Sequence, residues 1–319
     1  MMPRRALVTG ASGFVGPYVV EELLRAGWQV WTLHRSQVHH QGTHSVRGDL
    51  NDNESVRQGL SLAQPDILLH LAAQSSVPAS FQSPLSTLAN NVLGAANLLY
   101  AAAALNPMPR VLVVGSAEEY GSVRPEHLPI DETQLLAPVS PYGVSKAAQS
   151  LLALSLLTSH NLETVVVRPF NHTGPGQRPN FAVPSFARQI ARIEAGLEPP
   201  VLRVGNLESR RDFCDVRDIA RAYVLAVTQA APGEVYNIGS GTSVSMSQIL
   251  DQLLTRSGVE VRVEIDPERV TPAGVPELRA DPAKFRHATG WTPRIPLEQT
   301  LSDVLDYWRA DTKKEMEQT

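Results

Sequence analysis

Tyr142 and Lys146 stand one helical turn apart in the segment Ser140-Pro141-Tyr142-Gly143-Val144-Ser145-Lys146. Ser followed by Pro is a helix-start pattern, with Ser as N-cap and Pro at the first helical position. An Ala- and Leu-rich run from Ala147 to Leu157 continues it. On such a helix the phenol and the ammonium share a face. An unperturbed phenol has a pKa of about 10, and a neighbouring cation favours its phenolate. The pair can therefore serve as a tuned acid and base. A surface Tyr and a surface Lys would have the same spacing, so the motif needs company. Upstream, the apolar run Arg110 to Val114 ends in Gly115-Ser116-Ala117-Glu118-Glu119-Tyr120-Gly121. The carboxyl end of a buried parallel strand is where open α/β sheets place their sites. Ser116 offers a hydroxyl to a substrate oxygen there, although serine also caps turns.

These side chains need a scaffold, and the chain supplies one from its start. Arg5 to Thr9 reads as a buried strand. It runs into Gly10-Ala11-Ser12-Gly13-Phe14-Val15-Gly16 and a helical segment, Tyr18 to Ala26, stopped by Gly27. Strand, glycine turn and helix together form a cradle for a pyrophosphate, which free N–H groups and the helix dipole attract. The second strand, Gln29 to Leu33, leads into His34-Arg35-Ser36, with no acid before Asp49. An acid there would bind the ribose 2′-OH of NAD, and an Arg suits the 2′-phosphate of NADP. The order favours NADP(H), with NAD(H) possible; Arg35 could also be a solvated loop charge.

Strand and helix patterns then alternate. Ser45 to Leu50 reads as a third strand, with Asp49 able to cap a helix from about Asn51. Pro65 to Gln74 is an apolar strand. Pro84 to Leu105 reads as one long helix carrying Asn90, Asn91 and Asn97, and Thr164 to Arg168 as a further strand. His39, His40 and His44 are irregularly spaced and read as a polar loop. The alternation predicts an α/β fold, a doubly wound parallel sheet with helices on both faces. After Asn171 the chain is irregular and dense in Pro and Arg, which suggests a smaller unit.

The Gly-x-x-Gly-x-x-Gly spacing with Ser116, Tyr142 and Lys146 resembles the extended short-chain dehydrogenase/reductase superfamily. Arg168-Pro169-Phe170-Asn171-His172-Thr173-Gly174-Pro175-Gly176 resembles its nucleotide-sugar branch, in the style of GDP-mannose 4,6-dehydratases and GDP-4-keto-6-deoxymannose reductases. The resemblance covers nearly the whole chain. It implies a Rossmann sheet from residues 1–170 and about 212–240. About 171–211 and 241–319 would form a discontinuous C-terminal substrate domain. It implies cofactor contacts from Gly10, Gly13, Phe14, Val15, Gly16, Arg35, Asp49, Leu50, Leu71, Ala72 and Ala73, with Tyr142 and Lys146. Ser116, Tyr142, Lys146 and Glu118 would be catalytic, Glu118 at the position of the dehydratases' base. Asn171, Arg188, Arg211 and Arg279 would bind substrate, with no metal. Arg211 suits a diphosphate, because a guanidinium fork matches phosphate; an ion pair with Asp212 or Asp215 is the other reading.

The reaction implied is reduction of a GDP-linked 4-keto-6-deoxy hexose, of the GDP-D-rhamnose type. The alternatives are a GDP-mannose 4,6-dehydratase, a nucleotide-sugar 4-epimerase and a non-catalytic dinucleotide sensor or scaffold. Ser116 stands where the dehydratases carry Thr, Ala117 where they carry Asp or Ser, and Phe14-Val15 differs from their glycine loop. Thr271-Pro272-Ala273 lacks an Arg that GDP-sugar enzymes carry. The helices at about 84–105 and 141–158 resemble the family's homodimer interface.

Composition sets outer bounds. The 319 residues are 43% hydrophobic, ample for a core, with a net charge of −4. Nothing in that balance points to nucleic acid. A single cysteine, Cys214, excludes an internal disulfide and fits a reducing compartment. No apolar run approaches the ~20 residues of a membrane span, and the apolar start breaks at Gly10, too early for a signal peptide. The expectation is a cytoplasmic protein acting on a small molecule, with the charged tail Asp311 to Thr319 frayed.

Overall fold

The computed structural model describes residues 4–35, 40–269 and 275–318. Six strands build the sheet from the first half: β1 (Arg5–Thr9), β2 (Gln29–His34), β3 (His44–Arg47), β4 (Ile67–His70), β5 (Arg110–Val114) and β6 (Thr164–Pro169). Between them run α1 (Gly16–Arg25), α2 (Asn53–Ala63), α3 (Val77–Gln82), α4 (Pro84–Leu88), α5 (Gly94–Ala103) and α6 (Pro141–His160). The second half contributes β7 (Asn171–Thr173), α7 (Ala182–Glu194), β8 (Val201–Val204), β9 (Arg210–Arg211), β10 (Phe213–Asp215), α8 (Val216–Gln229) and β11 (Val235–Ile238). It ends with β12 (Val244–Ser245), α9 (Met246–Ser257), β13 (Arg262–Ile265), β14 (Glu277–Leu278), α10 (Ala283–Thr289) and α11 (Leu297–Glu317).

The main sheet has seven strands in the order β3-β2-β1-β4-β5-β6-β11, all parallel. Its strands are apolar at consecutive positions because both faces are covered. Side chains alternate between the faces. Val8, Leu69, Leu112 and Val167 pack with α1 and α8, through Val19, Leu23, Ile219 and Tyr223. Leu7, Leu68, Val111 and Val166 pack on the other side with Leu60, Leu98, Leu99 and Leu156. A separate core joins α7, β8, α9 and α11 through Phe186, Ile190, Leu250, Leu305 and Trp308.

Four details depart from the sequence reading. The 84–105 stretch is helical, but a π-helical segment, Ala89–Leu93, interrupts it and carries Asn91. Asp52, not Asp49, caps α2, accepting the Glu54 and Ser55 N–H groups. Helix α11 runs to Glu317 instead of fraying at Asp311, because Thr312 is buried and Glu315 pairs with Arg192 of α7. Phe285 and Trp291, assigned by sequence to the substrate unit, pack in the core of the main sheet.

His44 stacks on Trp31 at 4.7 Å, and the His40 carbonyl accepts the Thr43 hydroxyl; His39 lies outside the described residues. Among the described residues no helix is long and apolar enough to cross a membrane. None of them forms a cluster of three or more His, Cys, Asp or Glu able to hold a metal ion.

Candidate active site

The site is built where β1, β4, β5 and β6 end, at the reversal of strand order between β1 and β4. At the end of β1 the turn requires Gly10, which has a φ of 73° and would press a Cβ to 2.6 Å from the Ala72 nitrogen. A Cβ at Gly16 would stand 2.3 Å from the Ala11 carbonyl oxygen, so α1 starts tight against the glycine turn. A Cβ at Gly13 would meet only the Gly10 oxygen, at 3.1 Å, so this side of the turn is open. No side chain caps α1, so the N–H groups of its first turn have no side-chain acceptor. The residues present therefore fit a dinucleotide pyrophosphate. Arg35 is exposed just past β2. Leu50, after β3, is held by Asn97 Nδ2 on its carbonyl at 2.8 Å, while Asp49 accepts the Asn51 N–H.

The loop after β4, from Leu71 through Ala72 and Ala73 to Gln74, is fixed by Asn91. Its amide accepts the Gln74 N–H at 2.8 Å and donates to the Gln74 carbonyl at 3.0 Å. The same amide donates to Ser145 Oγ, which in turn donates to the Tyr142 carbonyl. The fully buried Asn91 thus ties the β4 loop to the helix that carries Tyr142.

Helix α6 starts as expected, with Ser140 accepting the Gly143 N–H. Ser116 caps a short 3-10 turn, Ala117–Glu119, and its hydroxyl lies near enough to the Tyr142 phenol to act on its pKa. Burial pushes that phenol well above the ordinary range, and Glu118 and Glu119 add to the effect. The expectation that Lys146 lowers the Tyr142 pKa is corrected here. Lys146 is buried and gives one N–H to Gln149 Oε1 at 2.9 Å. Burial brings Lys146 down to about 8, against the pull of the Glu119 carboxylate. At Lys146 desolvation outweighs the charge–charge effect, while at Tyr142 burial and the neighbouring carboxylates act in the same direction. His70, beneath them, shares a 2.8 Å hydrogen bond with Thr9, and burial with Lys146 brings it down to about 3.

The charge of Arg211 on β9 acts on Glu118. Burial raises the carboxyl, and the guanidinium opposes that shift. Neither aspartate proposed as a partner for Arg211 pairs with it. Asp212 accepts from Ser240, Gly241 and Ala280, and Asp215 from Arg217 and Thr300. Asn171, half-buried at the start of β7, has no side-chain partner among the described residues. His172 stacks parallel on Phe14 of the glycine turn, ring centroids 6.0 Å apart, so the β7 loop closes over the cradle.

The structure does not gather the other two arginines in the same way. Arg188 lies over the Trp308 ring at 5.9 Å, within the packing of α7 on α11. Arg279 Nε lies 3.2 Å from Glu277. The Thr271-Pro272-Ala273 segment falls outside the described residues.

Sequence reasoning missed the buried Glu119–Arg168 pair, at 2.8 Å, and the Tyr120–Asn237 hydrogen bond beside it. A signal was present: Arg168 ends a run of buried valines, and a buried charge needs a partner.

Comparison with known proteins agrees with this geometry. A family model described as GDP-mannose 4,6 dehydratase matches residues 7–304. The GDP-6-deoxy-D-mannose reductase of Pseudomonas aeruginosa is 37% identical over 314 residues, spanning 98% of this chain and 100% of the relative. The GDP-mannose 4,6 dehydratase 1 of Arabidopsis thaliana is 31% identical, spanning 95% of this chain and 90% of the relative. Among solved structures, RMD from Pseudomonas aeruginosa complexed with NADPH superposes with a TM-score of 0.86 at 35% identity, covering 97% of this chain and 99% of that one.

Proposed function

The chain belongs to the GDP-mannose 4,6-dehydratase family, and on that premise we propose that it reduces a GDP-linked 4-keto-6-deoxy hexose with NADPH. The observation that carries this reading is the full-length match to a GDP-6-deoxy-D-mannose reductase, 37% identical over 98% of this chain, together with Ser116 after β5 and Tyr142 and Lys146 on α6. Tyr142, buried and neutral, can give its proton to a carbonyl oxygen.

Bound in the glycine cradle, the nicotinamide supplies hydride to the keto carbon. Tyr142 Oη gives its proton to the carbonyl oxygen. Ser116 Oγ hydrogen-bonds the same oxygen, and a preorganised donor of this kind is worth roughly 3 kcal/mol of barrier. Lys146 spends one of its three N–H donors on Gln149 and keeps two for the cofactor ribose. Arg35 meets the 2′-phosphate; without an acid at the end of β2, NADPH is preferred to NADH. Gly10, Gly13, Phe14, Val15 and Gly16 hold the pyrophosphate. Asp49 and Leu50 meet the adenine, and Leu71, Ala72 and Ala73 line the path between. Arg211 and Asn171 take the substrate diphosphate and sugar.

A 4,6-dehydratase is the second reading, because Glu118, in the turn after Ser116, stands where the resemblance to the dehydratases puts their carboxylate base. One experiment separates them. Purified protein is given GDP-mannose alone, or GDP-4-keto-6-deoxymannose with NADPH, and cofactor absorbance and products are followed. The reductase consumes NADPH only with the keto sugar and loses turnover in Tyr142→Phe, while Glu118→Gln retains it. Conversion of GDP-mannose without net loss of NADPH, abolished in Glu118→Gln, would establish the dehydratase instead.

We also propose a cytoplasmic homodimer. Leu85 and Leu93 on the 84–103 helix, and Val144 and Leu151 on α6, are exposed apolar side chains on the two helices expected to pair. The division into a cofactor unit (1–170 and about 212–240) and a substrate unit is supported by the separate core of α7, α9 and α11. Residues 283–291 go with the cofactor unit.

A further inference from the structure

Glu119 is fully buried, and no step above uses it. Its carboxylate takes three donors from three parts of the chain. Oε1 accepts the Ser116 backbone N–H at 2.8 Å and the Ser150 hydroxyl at 2.9 Å; Oε2 accepts Arg168 Nε at 2.8 Å. The first donor belongs to the residue whose hydroxyl meets Tyr142. The second stands on α6 one turn beyond Lys146, so the carboxylate lies on the Lys146 face of that helix. The third closes β6. The fit is tight: a Cβ at Gly115 would stand 2.2 Å from Glu119 Oε1. Burying a carboxylate is costly even when it is paired. An apolar residue of similar volume would fill the space without that cost, so the charge itself calls for an explanation.

We propose that Glu119 is a positioning residue for the carbonyl reduction, fixing the Ser116 peptide so that its hydroxyl meets Tyr142 and setting a negative charge beside the Lys146 ammonium. The inference rests on the reductase reading for its chemistry. The groups acting on Lys146 are Gln149 on its own helix, His70 from β4 and Glu119 from the turn after β5; Tyr142 stands one turn away on the same helix. Arg168 and Tyr120 pack against Glu119 from the other side. His70 is held neutral, so Glu119 supplies the negative charge that opposes the desolvation of Lys146.

Glu119→Gln keeps the volume and an acceptor for the Ser116 N–H but removes the charge. The expected result is an alkaline limb of kcat/KM for the keto sugar displaced toward acid by about one pH unit or more, as Lys146 loses its proton earlier. A uniform loss at every pH, with the limb unmoved, would show a merely structural role and overturn the charge half. The single variant leaves Arg168 unpaired in the interior. The double variant Glu119→Gln with Arg168→Met is therefore made alongside, and the limb is read in whichever melts cooperatively.

The anchoring half is read without turnover, by amide hydrogen exchange at Ser116 in the cofactor-free protein. Glu119→Leu is expected to speed that exchange by about tenfold or more, the worth of a hydrogen bond to a charged group. Unchanged exchange would refute the anchoring. If wild-type protein fails to reduce the keto sugar, the proposed reaction falls. The Ser116 exchange and the pH dependence of NADPH binding still decide the role of Glu119.

Discussion

Gly143 packs so closely on the Glu118 carbonyl that a Cβ at position 143 would stand 2.6 Å from that oxygen. This approach brings the first turn of α6, and with it Tyr142, against the turn that carries Ser116. Gly143→Ala is expected to push the two apart. A displacement of about 1 Å costs roughly 100-fold in rate, and overpacking costs about 1–3 kcal/mol of stability. Steady-state kinetics with a parallel melt check this: a fold that survives with kcat intact would show that the close approach does not position Tyr142.

Lys146→Met should stabilise the protein while abolishing turnover. Burial brings Lys146 down to about 8 in the fold from its ordinary value of 10.5. The unfolded chain therefore binds more protons between those values, and wild-type stability rises with pH across that window. Below about pH 8 the buried ammonium costs about 3 kcal/mol, at 1.36 kcal/mol per pKa unit. The gain in melting temperature of Lys146→Met over wild type is expected to be largest near pH 7 and to shrink toward pH 10. A gain that does not vary with pH would contradict the buried charge.

Arg35 stands exposed at the end of β2, with no acid beside it before Asp49. Arg35→Ala should weaken NADPH by about tenfold or more, the roughly 1.5–3 kcal/mol of a charge-assisted hydrogen bond, and leave NADH nearly unchanged. Fluorescence titration of both cofactors reads this directly. Equal losses for the two would mean that Arg35 does not meet the 2′-phosphate.

Leu93 and Leu151 are 61% and 59% exposed, an unusual cost for leucines on two adjoining helices of a monomer. Leu93→Glu with Leu151→Glu should convert a dimer into a monomer by light scattering, with the melt still cooperative. A wild-type monomer would remove the dimer proposal.

Much of this protein follows from local pattern. The glycine turn, the Ser140-Pro141 helix start and the buried valine runs of β5 and β6 each rest on neighbours within a few residues, so sequence alone locates them. The tyrosine, lysine and serine of the site were legible for the same reason, each sitting at the end of a recognisable element.

Partnerships between distant elements were not legible. Asn91 closes on the Gln74 backbone, Glu119 on Arg168 and Phe14 on His172, and each pair joins separate elements. Which strand ends meet depends on the sheet order, which no local preference encodes. The same holds for direction of effect. Spacing put the Lys146 charge beside the Tyr142 phenol, but burial decided that the phenol goes up and the ammonium turns to Gln149. Arg188 shows the limit from the other side, since its guanidinium lies over Trp308, contributed by a helix more than a hundred residues on. The sequence determined which groups could do chemistry; the packed interior, by removing water from them, determined their protonation and their partners.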